Sequence, residues 1–139
     1  RFWNNRASVN LAVFDYDYKN LQLSGVAMVM GAPRYVTRNA GLASVRGLEA
    51  EGIVKLTQDD RITYAVSLLD AHYDSYSPDG VTSWAGRKLD RAPSHTVTLG
   101  YEHVFRIGDG QLKAGANVRR SAAYVIGVPY ELPLRLILV

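Results

Sequence analysis

Apolar and charged side chains lie on alternate positions along most of the stretch 47–56. The apolar positions are Leu48, Ala50, Val54 and Leu56, and the charged positions between them are Glu49, Glu51 and Lys55. A repeat of two residues is typical of a β-strand and does not suit a helix. Three ionised groups do not face a protein core, so one side of this strand is expected to face water and the other an apolar phase. We therefore predict a long strand within Asn39–Lys55, ending near Leu56.

The same alternation predicts four more long strands, and no stretch of the chain shows a helical period. These strands are Ala7–Tyr18, Ile62–Tyr73, Ser94–Ile107 and Gln111–Tyr124. Val26–Met30 is apolar enough for a short sixth strand, which Gly31-Ala32-Pro33 would end. The prediction is an all-β chain, an antiparallel meander of five to six strands.

The connections between these strands alternate between long and short. Lys19–Arg38 and Ser75–Pro93 are long, whereas 57–61 and 108–110 are short turns. In an antiparallel meander this order places both long loops at one end of the sheet. Long strands, short turns at one end and long loops at the other are typical of transmembrane β-barrels. We therefore predict that the whole chain, residues 1–139, is part of such a barrel.

The first strand does not keep its apolar residues on one side. Its end places Phe14, Tyr16 and Tyr18 opposite Asp15 and Asp17, but its beginning has valine and leucine on the aspartate side. A β-bulge would exchange the two sides. A side that is simply mixed would give the same pattern, and the sequence does not distinguish the two explanations.

Composition narrows the class of protein only slightly. The 16 Lys+Arg against 13 Asp+Glu leave a net charge of +3, too small and too scattered to indicate nucleic-acid binding. Cysteine is absent, which excludes a disulfide framework and a thiolate metal site. No run approaches the roughly 18 apolar residues of a membrane helix. The amino terminus has no apolar signal segment, and we expect the chain to be a piece of a longer protein.

Several segments, in this order, resemble successive barrel strands of TonB-dependent outer-membrane receptors. The most specific are Phe14–Leu21 (FDYDYKNL), Arg46–Glu49 (RGLE) and Leu89–Pro93 (LDRAP). The resemblance implies a barrel of about 22 strands closed around a plug domain. It also implies a bacterial outer-membrane location and uptake of ferric siderophores or similar scarce nutrients, driven by the TonB complex through a plug that this chain does not contain. It implies no catalysis and no cofactor.

The resemblance also suggests roles for individual residues. The expected lumen-facing residues are Glu49, Glu51, Lys55, Glu102, Arg106, Lys113, Asn117 and Arg119. Aromatics expected at the membrane interface, with core packing as the alternative, are Tyr16, Tyr18, Tyr64, Tyr73 and Tyr101. Candidates for contacting an anionic, aromatic-rich iron chelate in the long loops are Arg34, Tyr35, Trp84 and Arg87.

The same residues also allow other interpretations. Asp70, His72 and Asp74 share one side of a strand and could ligate a metal, but a polar strand end in water explains them better. Ser94 and His95 are adjacent on a strand and point apart, so they do not form a nucleophile pair. A soluble lipocalin-like barrel, a passive porin and an outer-membrane enzyme remain as alternatives. The enzyme alternative would need a Ser, a His and an acidic residue that converge, and no spacing in the sequence supports that.

Overall fold

The fold was obtained as a computed structural model, which describes residues 2–39, 41–78 and 80–126, without the side chains of 25–28. The chain forms seven β-strands. They are β1 (Ala7–Lys19), β2 (Gln22–Val29), β3 (Ala32–Asn39), β4 (Leu42–Lys55), β5 (Asp60–Ser75), β6 (His95–Ile107) and β7 (Gly110–Ser121). No helix among the described residues is long and apolar enough to cross a membrane.

The five long strands form one sheet in the order β1-β4-β5-β6-β7, and β2 pairs with β3 in a separate two-stranded sheet. The pairings of β5 with β6 and of β6 with β7 are antiparallel. The five-stranded sheet does not close into a barrel within the described residues. The predicted all-β antiparallel meander is confirmed, and β5, with 16 residues, is its longest strand.

The long connection predicted at Lys19–Arg38 is wrong in one respect, because it contains a complete hairpin. Gly31 and Pro33 do not end the structure there: β2 turns at Met30 and Gly31 and returns as β3. Both turn residues have positive φ, of 52° and 77°, which is the backbone of a type I′ hairpin turn. Pro33, paired with Met28, is tolerated because a two-stranded sheet consists only of edge strands.

The described residues form two compact units. Unit 1 consists of residues 2–13, 48–68 and 95–122, and unit 2 consists of residues 14–39, 41–47, 69–78, 80–94 and 123–126.

Strand β1 contains no bulge, which answers the question left open by its sequence. In unit 1 Asn10 donates a hydrogen bond to Glu51, and the Lys55 amide donates to the Arg6 carbonyl. In unit 2 Asp15 accepts from Arg46 and Asp17 accepts from Ser44. Each step along β1 is matched by an equal step back along β4, so no extra residue is inserted. The side of β1 that carries its aspartates is therefore mixed.

Candidate functional site

In unit 1 the sheet has one polar face, and the register of its strands defines it. Residues directly opposite each other on antiparallel strands project to the same side. Glu102 is paired with Arg61 on β5 and with Gly115 on β7, and Asn117 is paired with Gly100. Hydrogen bonds from Asn10 to Glu51 and from Ser67 to Glu49 add β1 and β4 to the same face.

The structure thus brings all eight residues predicted to face a lumen onto this polar face. Glu49 and Glu51 line a shallow depression there together with Asn10, Ser67 and Arg119. Two ion pairs lie on the same face: Arg106 with Asp59 at 2.7 Å, and Arg61 with Glu102 at 3.0 Å. The side chains of these four residues are each about one-third or more exposed to solvent. Each ion pair therefore contributes little to stability. That this face borders a lumen stays a prediction.

The opposite, apolar face of unit 1 carries large hydrophobic side chains that are exposed. Those on β6 and β7 include Val97, Leu99, Tyr101, Phe105, Ile107, Leu112 and Val118, of which Val118 is 69% exposed. Among the described residues of unit 1, the buried side chain is that of Ala7. A soluble domain does not leave so large an apolar surface in water.

Two glycines of unit 1 lie where neighbouring side chains approach the backbone closely. At Gly52 a Cβ atom would lie 2.6 Å from the Tyr64 hydroxyl oxygen and would also overlap the Ser8 carbonyl oxygen. At Gly100 a Cβ atom would overlap the side chains of Asn117 and Thr63. Tyr64 thus covers the strand beside Gly52 on the apolar face.

Unit 2 contains a cluster of aromatic rings that the sequence pattern did not predict. Tyr73, Tyr76 and Trp84 are buried with Ala43, and Leu21, Leu23 and Leu89 pack around them. The Tyr73 and Tyr76 ring centroids are 5.2 Å apart, and Trp84 meets Tyr76 edge-on at 5.5 Å. Rings at these distances and angles attract one another beyond their burial. We call this group the aromatic cluster.

The aromatic cluster holds the connection between β5 and β6 against the end of β5. The Tyr73 amide donates to the Arg87 carbonyl at 2.9 Å, and the Gly86 amide donates to the Tyr73 carbonyl at 2.7 Å. The Leu89 amide donates to the Ala71 carbonyl at 2.9 Å. This connection, as far as it is described (residues 76–78 and 80–94), is therefore a docked strap and not an open loop.

Arg87 lies on the exposed side of this strap, with its guanidinium 4.3 Å from the centre of the Trp84 ring. A guanidinium at this distance gains a cation–π attraction, and the buried indole cannot move away from it. The stack leaves the in-plane N–H groups of Arg87 available for hydrogen bonds to an anion. Trp84 is only 6% exposed, and its ring packs against the Arg87 guanidinium. A contact of either residue with a ligand stays a prediction.

The structure does not bring the other two loop candidates onto one surface. Arg34 and Tyr35 are neighbours on β3, so their side chains point to opposite sides of the hairpin. Ser24 and Thr37, cross-strand partners joined by a hydrogen bond of 2.8 Å, share the Tyr35 side. Tyr35 is 74% exposed, and Arg34 is exposed as well. One compact ligand cannot contact both residues through the same hairpin face.

The five tyrosines predicted at a membrane interface lie in different surroundings. Tyr73 is only 1% exposed and belongs to the aromatic cluster, which corresponds to the core-packing alternative. Tyr101 and Tyr64 belong to the apolar face of unit 1, where they are cross-strand partners of Ile62 and Leu99. Tyr16 and Tyr18 form a row with Phe14 along β1. For these four residues the interface role stays a prediction.

Asp70, His72 and Asp74 are close together but do not converge. His72 faces Asp70 through Nδ1 at 3.4 Å and Asp74 through Nε2 at 3.3 Å, so the carboxylates flank opposite edges of the ring. Asp74 also accepts a hydrogen bond of 2.5 Å from Ser44. No metal-binding group of three acidic, histidine or cysteine side chains is found in the part of the chain that the structure describes.

Asp90 is a titratable residue of the strap, and its surroundings shift the pKa of its carboxyl group. Burial raises the pKa of its carboxyl group, although Arg91 and Arg87 act in the opposite direction. Asp90 lies between the docked residue Leu89 and Arg91, which has a positive φ of 55° and whose amide donates to Val125. The Leu89–Pro93 segment therefore connects the part of the strap that is docked on β5 to the start of β6.

Long antiparallel strands with one exposed apolar face and one charged face define the wall of a transmembrane β-barrel. The model of the family described as TonB dependent receptor-like, beta-barrel, matches residues 1–130. The chain therefore belongs to the TonB-dependent receptor β-barrel family. Members of this family are receptors and transporters of the outer membrane of Gram-negative bacteria, and not enzymes. No curated protein and no solved structure matches the chain.

Proposed function

We propose that this chain forms barrel wall and ligand-binding loops in a receptor that imports a ferric siderophore or a similarly scarce nutrient, driven by TonB. Membership in the receptor family supports the transport role. The uncovered apolar face of unit 1 supports contact with lipid, and the polar face supports a lumen that meets a plug domain. A soluble lipocalin-like barrel would instead need its apolar face turned inward.

The observation that carries the choice of ligand is the fixed guanidinium of Arg87. Ferric siderophores of the catecholate class are anionic and rich in aromatic rings, so an immobilised Arg suits them by charge and by hydrogen bonding. Trp84 and the docked strap hold Arg87 in place before a ligand arrives, which lowers the entropic cost of binding. Arg34 or Tyr35 would add a second contact from one side of the β2–β3 hairpin.

The test is uptake of radiolabelled iron, presented as a ferric tris-catecholate, by cells that express the receptor from its complete gene. Arg87→Ala should weaken binding about tenfold or more, because a charged hydrogen bond is lost. Arg87→Lys should recover only part, since Lys keeps the charge but not the planar fork. Lys88→Ala is the matched control, because it removes one exposed charge next to Arg87, where the side chain points the other way.

Three results would contradict the proposal in different ways. Equal effects of Arg87→Ala and Lys88→Ala would remove Arg87 from the binding site. Uptake of a neutral hydroxamate chelate in preference to the catecholate would assign a different ligand class. Uptake that persists unchanged in cells lacking TonB would support the passive porin instead.

A further inference from the structure

Three aromatic side chains of unit 2 form a continuous row along β1. The ring centroids of Phe14 and Tyr16 are 5.5 Å apart in a stacked arrangement, and those of Tyr16 and Tyr18 are 6.3 Å apart. Tyr16 and Tyr18 are 53% and 44% exposed. Contiguous large rings that stay exposed mark a surface on which a ligand or a partner binds. We call Phe14, Tyr16 and Tyr18 the aromatic row.

The register of β1, β4 and β5 places the aromatic row on the same side of the sheet as the aromatic cluster. The Ser44 hydroxyl lies 3.4 Å from an Asp17 oxygen and 2.5 Å from an Asp74 oxygen, so these three side chains share one side. Neighbours along a strand project to opposite sides. The two tyrosines of the row flank Asp17, and Tyr73 precedes Asp74. The row and Tyr73 therefore share the other side.

This side of unit 2 also carries a fixed positive charge. His72 and Lys88 are antiparallel bridge partners, so Arg87, which precedes Lys88, projects to the same side as Tyr73. The Arg87 guanidinium lies 4.3 Å from the centre of the Trp84 ring, which packs on Tyr73. Only β4 separates β1 from β5, which corresponds to roughly 10 Å. One ligand with several rings can therefore span from the row to the guanidinium.

The residues around the aromatic row leave its rings accessible to an anionic ligand. Ala43 and Val45 of β4, which flank Ser44, are the small side chains on the same side of the sheet. The carboxylates of β1, Asp15 and Asp17, project to the other side, where Asp15 pairs with Arg46 at 2.9 Å. Neither carboxylate therefore lies next to a ligand placed on the row.

We propose that the aromatic row binds the aryl rings of the same anionic chelate that Arg87 holds by its charge. This inference rests on the proposed function and adds a second part to that binding site. A ligand ring placed on Tyr16 and Tyr18 gains offset or edge-to-face contacts beyond the burial of its surface. The row thus selects for aromatic chelates, whereas Arg87 selects for negative charge.

The test is calorimetric titration of the complete receptor, purified in detergent, with ferric tris-catecholate. The double variant Tyr16→Leu, Tyr18→Leu should weaken binding about tenfold, the scale of two lost ring contacts. Tyr16→Phe, Tyr18→Phe keeps both rings and should bind like the wild type. Lys19→Ala is the matched control, because it removes an exposed side chain next to Tyr18 that projects to the other side of β1. If the double leucine variant does not fold, Tyr16→Leu alone should weaken binding about threefold.

The outcome for Arg87→Ala separates this inference from the proposed function. If Arg87→Ala weakens binding but the leucine and phenylalanine variants bind alike, the aromatic row is not part of the site and only this inference fails. If neither Arg87→Ala nor the leucine variant weakens binding, the proposed ligand class fails as well. The inference also fails if Lys19→Ala weakens binding as much as the leucine variant does. A leucine variant that inserts poorly into membranes, yet binds normally once folded, would assign Tyr16 and Tyr18 to the membrane interface instead.

Discussion

Replacing Trp84 with alanine should release the strap between β5 and β6 without unfolding the barrel wall. Trp84 is 6% exposed, and its ring centroid lies 6.1 Å from that of Tyr73. The Arg87 guanidinium packs over the Trp84 ring. Removing a buried Trp side chain costs about 3–5 kcal/mol. A cost of about 4 kcal/mol raises the equilibrium constant for local opening about a thousandfold.

Limited proteolysis of the complete receptor in detergent measures this opening directly. Trypsin cleaves after Arg87, Lys88 and Arg91, all in the strap, and its rate follows the open population when closing is fast. Cleavage should accelerate strongly in Trp84→Ala and much less in Trp84→Phe, which keeps a ring in the cluster.

The chain supplies its own control for this experiment. It contains 2 tryptophans, and the other, Trp3, is 56% exposed and belongs to unit 1. Trp3→Ala should leave cleavage of the strap unchanged. If Trp84→Ala is cleaved no faster than the wild type, or if Trp3→Ala is cleaved equally fast, the aromatic cluster does not hold the strap.

Two further predictions follow from the packing and the charges. Gly52→Ala should lower the yield of folded barrel, because the added Cβ would overlap the Ser8 carbonyl and Tyr64. The loss should be visible on gels as loss of heat-modifiable mobility. Gly110→Ala should fold normally, because the atom nearest to its added Cβ would lie 3.5 Å away. The raised pKa of Asp90 favours the protonated carboxyl in the docked strap, so docking should be strongest below the ordinary pKa of 3.8 and weaken as the pH rises through the raised value. The fluorescence of Trp84, measured as the difference between the receptor and its Trp84→Phe variant, should report this change, and Asp90→Asn should remove it. An unchanged profile in Asp90→Asn would refute the prediction.

The long strands could be predicted from sequence because two different phases act on their two faces. Strand β6 alternates apolar and polar residues along most of its length, and its predicted start differs by one residue from the observed start at His95. The hairpin of β2 and β3 has no such constraint. Its residues do not alternate cleanly, and its turn depends on positive φ at Met30, which is uncommon for a non-glycine residue.

The aromatic cluster escaped prediction for a different reason. Tyr73 belongs to a strand, and Tyr76 and Trp84 belong to a connection without a period, so the alternation of residues does not link them. A usable signal was present in the spacing of large aromatic residues around Pro78 and Gly86, since long connections that pack on their own side chains are compact. A large ring is more often buried than offered to solvent, and Trp84 is buried in the cluster. A contact between Trp84 and a ligand stays a prediction.

The mixed side of β1 is explained by strand length. A tilted strand needs about 9–11 residues to cross the hydrocarbon layer, whereas β1 has 13 residues, β4 has 14 and β5 has 16. On each strand the same side changes chemistry within two positions. Val13 is followed by Asp15 on β1, and Leu68 is followed by Asp70 on β5. No bulge is required, because a strand longer than the membrane is thick must carry apolar residues where it meets lipid and charged residues where it meets water.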